Sequence, residues 1–75
     1  MTKPSEPIRV FDEVALLEEL VAHDSEGYSF RLRPGDEGVC VFVHSDGMVD
    51  VEFVDGSGDP LCVKTILTSK VRRIS

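Results

Sequence analysis

The 75 residues, 41% hydrophobic and 29% charged, suffice for one domain with one core, and a chain this short hides only about 60% of its unfolded surface, which leaves little room for a catalytic cleft. No apolar run approaches the roughly 20 residues of a membrane span, and the opening MTKPSEPIRVF has no signal-peptide core, so the expected compartment is the cytoplasm. The net charge of −6 is uneven: residues 1–62 hold all 14 acids and four bases, a balance of −10, while residues 63–75 hold four bases and no acid, a distribution that repels nucleic-acid backbone and steers toward a basic partner.

Residues 1–7 (MTKPSEP) read as a flexible arm ahead of a single domain spanning 8–75. Residues 8–22 (IRVFDEVALLEELVA) support two readings. Asp12 could cap a helix made of the good helix formers at 15–20. Equally, Val10, Asp12, Val14 and Leu16 alternate as a strand that Leu20 closes. Everything downstream is β, and helix propensity yields to tertiary context, so a strand is expected. Residues 23–33 (HDSEGYSFRLR) then read as a long loop, with Tyr28 and Phe30 either folded onto the core or exposed.

Pro34-Gly35-Asp36-Glu37-Gly38 has type II turn chemistry, a proline followed by a glycine that accepts positive φ. Three strands are expected at 39–44, 48–54 and 61–67, joined at Ser45-Asp46-Gly47 and over 55–60, both with strong hairpin signals. Leu67-Thr68-Ser69-Lys70-Val71 suggests one 3₁₀ turn before a last strand at 71–74. Short strands at this spacing predict a small five-stranded antiparallel barrel, since closure removes exposed edges.

The stretch GVCVFVHSDGMVDVEFVDG carries the functional question. Its second half alternates, with Val49, Val51 and Phe53 inward and Asp50 and Glu52 outward. Its first half, Val39-Cys40-Val41-Phe42-Val43, is apolar throughout. Directly opposed residues share a face, so loop length sets the faces of this strand. A three-residue loop pairs Val43 with Val49 and turns Val39, Val41 and Val43 in, Cys40, Phe42 and His44 out. A two-residue Asp46-Gly47 turn reverses every face. Valine suits a small interior and burying His44 is costly, which favours the first. An outward Cys40, Phe42, His44 row beside Val54, bordered by Asp50 and Glu52, would be an interaction patch; the plain alternative is a single surface phenylalanine covered by the Tyr28/Phe30 loop.

Catalytic and metal chemistry find little support. Asp50 and Glu52 are solvated, and Asp55 and Asp59 lie in an open turn, whereas acid–base pairs need desolvation. Counted from Asp55, the twelfth position of a calcium loop is Ile66 and not a glutamate. Cys40 and Cys62 are 22 apart and, with His23 and His44, lack zinc spacing; a strand between the two cysteines also places them beyond disulfide reach. No phosphate-loop, dinucleotide or nucleophile-elbow motif is present, and no cofactor is expected.

Phe11-Asp12 with Val14-Ala15-Leu16-Leu17-Glu18, then Pro34-Gly35-Asp36-Glu37-Gly38-Val39, then Val51-Glu52-Phe53-Val54-Asp55 resembles a family of short uncharacterised bacterial proteins, across residues 8–74. That family is similar in pattern to SH3-like barrels, including the Gly-Asp-x-Gly-x-Val turn of KOW-type modules. The resemblance implies a five-stranded SH3-like barrel, supports a strand at 12–18 and implies no activity. Frequent neighbourhood to toxin-type genes suggests an antitoxin or immunity role by association. Members tend to carry a polar residue where this chain has Phe42. The reading is a non-catalytic protein-binding module for a basic partner, with Phe42, His44, Asp50, Glu52, Tyr28 and Phe30 as candidate contacts. The alternatives are a KOW-like nucleic-acid-binding module using Lys70, Arg72, Arg73 and Tyr28, and a small accessory subunit of a larger complex.

Overall fold

The computed structural model describes residues 7–24 and 26–74; apart from Pro7, the expected N-terminal arm lies outside them. The strands are β1 (Glu13–Leu16), β2 (Leu20–His23), β3 (Ser29–Leu32), β4 (Glu37–Val43), β5 (Met48–Val54), β6 (Pro60–Leu67) and, after a 3₁₀ turn (Thr68–Lys70), β7 (Val71–Arg73). Five of them form an antiparallel sheet in the order β6-β5-β4-β1-β7, and β2 with β3 form a second. The all-β class and the five main strands match the sequence reading, but the expected closure is not made: among the described residues β6 and β7 do not pair and remain the two edges of the sheet. Among the described residues, no helix is long and apolar enough to cross a membrane.

Two segments differ from expectation. The single strand expected over 8–22 divides, because β1 ends at Leu16 and β2 begins at Leu20 in the other sheet. The backbone is engaged from both sides at that point: the Leu16 amide donates to the Asp36 carbonyl, and the Leu17 amide to the Lys70 carbonyl. The long loop expected over 23–33 holds a hairpin, with Leu20 opposite Leu32 and His23 opposite Ser29. Asp24 builds its turn, its carboxylate accepting the amides of Glu26 and Tyr28 at 2.9 and 3.0 Å. Ala22 and Leu32 are buried and Phe30 is half-buried against the core, while Ser29 and Arg31 face water.

The core lies between the two sheets. Val14 and Leu16 of β1, Ala22 and Leu32 of the hairpin, Cys40, the alternating trio Val49, Val51 and Phe53, Ile66 and Val71 pack into one cluster. Phe53 is its largest fully buried side chain. Gly38, expected in the turn, lies one residue inside β4 instead, between Val14 of β1 and Phe53 of β5. There β4 passes so close to β5 that only a glycine fits.

Candidate interaction face

The loop after β4 is the three-residue one. Val43 lies opposite Val49, the His44 amide donates to the Met48 carbonyl at 2.9 Å, and Gly47 takes φ 83°. Unbroken alternation from there would put Cys40 outside together with Phe42. Instead Cys40 lies opposite Val51 and Phe42 opposite Asp50, which leaves Val41 as an extra residue on β4. This is a β-bulge, and it reverses the faces on its two sides. Cys40 is therefore fully buried while Phe42 is 53% exposed. An all-apolar strand thus serves both surfaces.

The inward set expected for β4 is corrected accordingly. Val39 lies on the outer face opposite Glu52, Val41 is the bulge, and Val43, although opposite Val49, is exposed at the strand end. Cys40 belongs to the core, where burial pushes its thiol up; burial raises half-buried Cys62 as well, and both are free thiols.

Strand pairing arranges the outer face of β4, β5 and β6 in two rows. One runs Phe42, Asp50, Thr65, and the other Glu13, Val39, Glu52, Val63. Phe42 and Val63 are the exposed apolar members, at 53% and 55%. Three carboxylates stand among them, and neither row contains a lysine or arginine. Four expected contact residues come together here: Phe42, His44, Asp50 and Glu52. Tyr28 and Phe30 do not join them. Phe30 packs against the core, and Tyr28, 69% exposed, sits at the tip of the β2–β3 hairpin.

Asp50 organises the first row. Its Oδ1 accepts the Thr65 hydroxyl at 2.5 Å and the His44 Nε2 at 2.9 Å, and the His44 ring meets Phe42 edge-on, centroids 4.8 Å apart. The Thr65 and His44 hydrogen bonds, Thr65's first, hold the Asp50 carboxyl below its ordinary value of 3.8. A lowered folded-state value means that this contribution to stability is complete above the ordinary value and is lost as pH falls through the lowered one. Thr65→Val is expected to move the Asp50 titration, followed by carboxyl ¹³C NMR, upward toward 3.8. An unmoved titration would assign the shift to His44 alone.

Thr65 also lines a cavity of about 230 Å³ whose wall includes Leu16, Leu20, Met48, Ile66 and Leu67. The Glu18–Lys70 ion pair lies at its side. The Phe42 row therefore ends, at Thr65, beside a largely apolar recess. Among the described residues no polar or charged side chain is buried, and no three His, Cys, Asp or Glu side chains converge as metal ligands.

Sequence reasoning missed Phe11. Residues 9–12 form a β-turn closed by the Asp12 amide on the Arg9 carbonyl at 3.0 Å, and its third residue, Phe11, has φ 74°. Glycine normally fills that position, and a non-glycine residue there costs about 1–3 kcal/mol. Phe11 is 80% exposed, so little packing offsets the strain. Four further contacts fix the turn: the Arg9 amide on the Asp12 carboxylate at 2.8 Å, the Phe11 amide on the Cys40 carbonyl at 2.6 Å, the Cys40 amide on the Asp12 carbonyl at 2.9 Å, and Arg73 with Asp12 at 3.8 Å. Only the two-residue string Phe11-Asp12 before a strand hinted at it.

Compared with known proteins, residues 10–73 match the family described as "Domain of unknown function (DUF4926)". No curated protein and no solved structure matches.

Proposed function

We propose that the chain, which belongs to the DUF4926 family, is a non-catalytic protein-binding module that covers a basic surface of its partner with the outer face of β4, β5 and β6. The observation that carries this is the bulge at Val41. It breaks the ladder in the middle of the sheet, so that one all-apolar strand buries Cys40 and leaves Phe42 in solvent among Glu13, Asp50 and Glu52. An aromatic anchor among carboxylates, in rows that carry no lysine or arginine, is complementary to an apolar surface carrying lysine or arginine. The recess beside Thr65 extends that face with room for a further apolar side chain.

The strand order, the hairpin excursion after β1 and the 3₁₀ turn before β7 support an SH3-like barrel, open between β6 and β7. In its most specific form the module is an antitoxin- or immunity-type inhibitor acting in the cytoplasm, where two free thiols are at home. The KOW-like nucleic-acid reading loses ground on the basic tail, because Lys70 is paired with Glu18 and Arg73 with Asp12.

The test is capture of the product of an adjacent gene, co-expressed and purified. Phe42→Ala combined with Asp50→Lys is expected to weaken capture by about a hundredfold, a loss of roughly 2.7 kcal/mol, with the circular dichroism spectrum unchanged. Undiminished capture would sink the reading. Salt-sensitive anisotropy with a labelled RNA would favour the nucleic-acid alternative, and co-purification only with a large assembly the accessory-subunit one.

A further inference from the structure

We infer that Phe11 is a second aromatic anchor of this same face, so that the partner segment presents two apolar side chains with lysine or arginine between them. The inference rests on the reading above. Three observations carry it. First, Phe11 combines two features that rarely meet in one large apolar residue: a backbone in the left-handed region and a side chain almost wholly in water. A ring held against its backbone preference, with no packing to reward it, points to a role outside folding.

Second, the strained turn and the bulge are joined directly. The Phe11 amide donates to the carbonyl of Cys40, the residue immediately before the bulge. Phe42 lies two residues further along β4, at most roughly 7 Å of chain. The Phe11 amide bond therefore sets the backbone of Phe11 beside the bulge, and Val10, Phe11, Val41, Phe42 and Val43 around it are all exposed. The same hydrogen bonds that fix the Phe11 backbone also engage both backbone groups of Cys40, so the strained turn and the start of the bulge are held together.

Third, the charges around the rings select the partner. Glu13, Asp50 and Glu52 share the outer face with Phe42, while Asp12 is occupied by Arg73 and by the Arg9 amide. A second copy of the chain would set these carboxylates against each other, at a net charge of −6 on each molecule. A cationic apolar segment of another protein meets no such repulsion.

The experiment uses the full chain and two labelled peptides, one alternating leucine with lysine and one alternating leucine with glutamate. Fluorescence anisotropy and ¹⁵N amide shifts are measured on the wild type, Phe11→Gly, Phe11→Asn and Phe42→Ala. Glycine and asparagine tolerate the turn, so both Phe11 variants should keep or raise Tm. The lysine peptide is expected to shift the amides of Phe11, Phe42 and Val63, and to bind each variant about tenfold more weakly, a hot-spot-sized loss. Binding of both Phe11 variants within twofold of the wild type, with Phe42→Ala still weakened, overturns the Phe11 anchor and leaves the proposed face standing. A clear fall in Tm for both Phe11 variants overturns it too, by making Phe11 a packing residue. Equal binding of the glutamate peptide overturns the cationic partner. No binding of the lysine peptide, or none that Phe42→Ala affects, overturns the face itself.

Discussion

Gly38→Ala is expected to lower Tm by about 4–24 °C. A Cβ at Gly38 would stand 2.6 Å from the Glu52 carbonyl oxygen, 2.7 Å from Val51 Cγ1 and 3.1 Å from Phe53 Cδ1. The nearest of these atoms belongs to the backbone of the neighbouring strand, so no rotamer change relieves the contact. Either β4 and β5 separate or their ladder breaks beside the buried Phe53. Overpacking of this kind costs about 1–3 kcal/mol, and in a domain of this size each kcal/mol moves Tm by roughly 4–8 °C. Total stability is itself only about 4–11 kcal/mol by the usual per-residue figure. Gly47→Ala is the control: its φ of 83° makes alanine unfavourable, yet nothing lies within 4 Å of the added carbon. Its loss should be about 1 kcal/mol, the ordinary cost of alanine in the left-handed region. Trimming Val51 to alanine should not rescue Gly38→Ala, because the Glu52 oxygen remains. A Gly38→Ala protein with wild-type Tm in thermal unfolding would refute the close approach.

Gly38 also shows where sequence reading stops. Within Pro34-Gly35-Asp36-Glu37-Gly38 both glycines look like turn residues. Gly35 is one, with φ 93°, whereas Gly38 serves the close approach of β4 to Val51, Glu52 and Phe53 at the far end of the hairpin. Local chemistry was legible. The hairpin loop at Ser45-Asp46-Gly47, the limits of β5 and the 3₁₀ turn at Thr68–Lys70 all follow from turn residues and period-two alternation. The β2–β3 hairpin was not, because its strands have four residues each and its turn rests on the Asp24 carboxylate, so no Asn-Gly or Asp-Gly pair announces it. The candidate face was half legible. Alternation in β5 placed Asp50 and Glu52, and loop length placed Phe42. Val39, Val63 and Glu13 complete the face through cross-strand partners that no single segment reveals. Cys40 was misplaced because a bulge leaves no trace in a run of five apolar residues. Each residue of that run is compatible with either face, so the sequence carries no penalty that would expose the extra one.

Deletion of Val41 tests that bulge and should be the best-tolerated single-residue loss in the main sheet. Without the extra residue, Cys40 and Phe42 become consecutive on a regular strand and keep opposite faces, with their native partners Val51 and Asp50 still directly across. Deletion of Val39, in the regular part of β4, is the disruptive counterpart. Gly38 and Cys40, which both face the core, become neighbours and can no longer share it. Either Cys40 turns outward, or Gly38 does and Glu37 is driven toward Phe53 at the closest approach of β4 and β5. Lost burial and overpacking together come to about 2–4 kcal/mol. Val41→Ser keeps the residue count and changes only a partly exposed side chain, so its effect should stay below about 1 kcal/mol. Two reporters follow the faces: alkylation of the Cys40 thiol in a Cys62→Ser background, protected in the native protein by complete burial, and the fluorescence of Phe42→Trp, whose indole should be in water. The Val41 deletion should keep a protected thiol, water-like emission and a Tm close to the wild type, while the Val39 deletion lowers Tm clearly. A reactive thiol or blue-shifted emission with a clear fall in Tm on deleting Val41 would mean that Val41 is a regular member of the ladder and that no bulge separates the faces of Cys40 and Phe42.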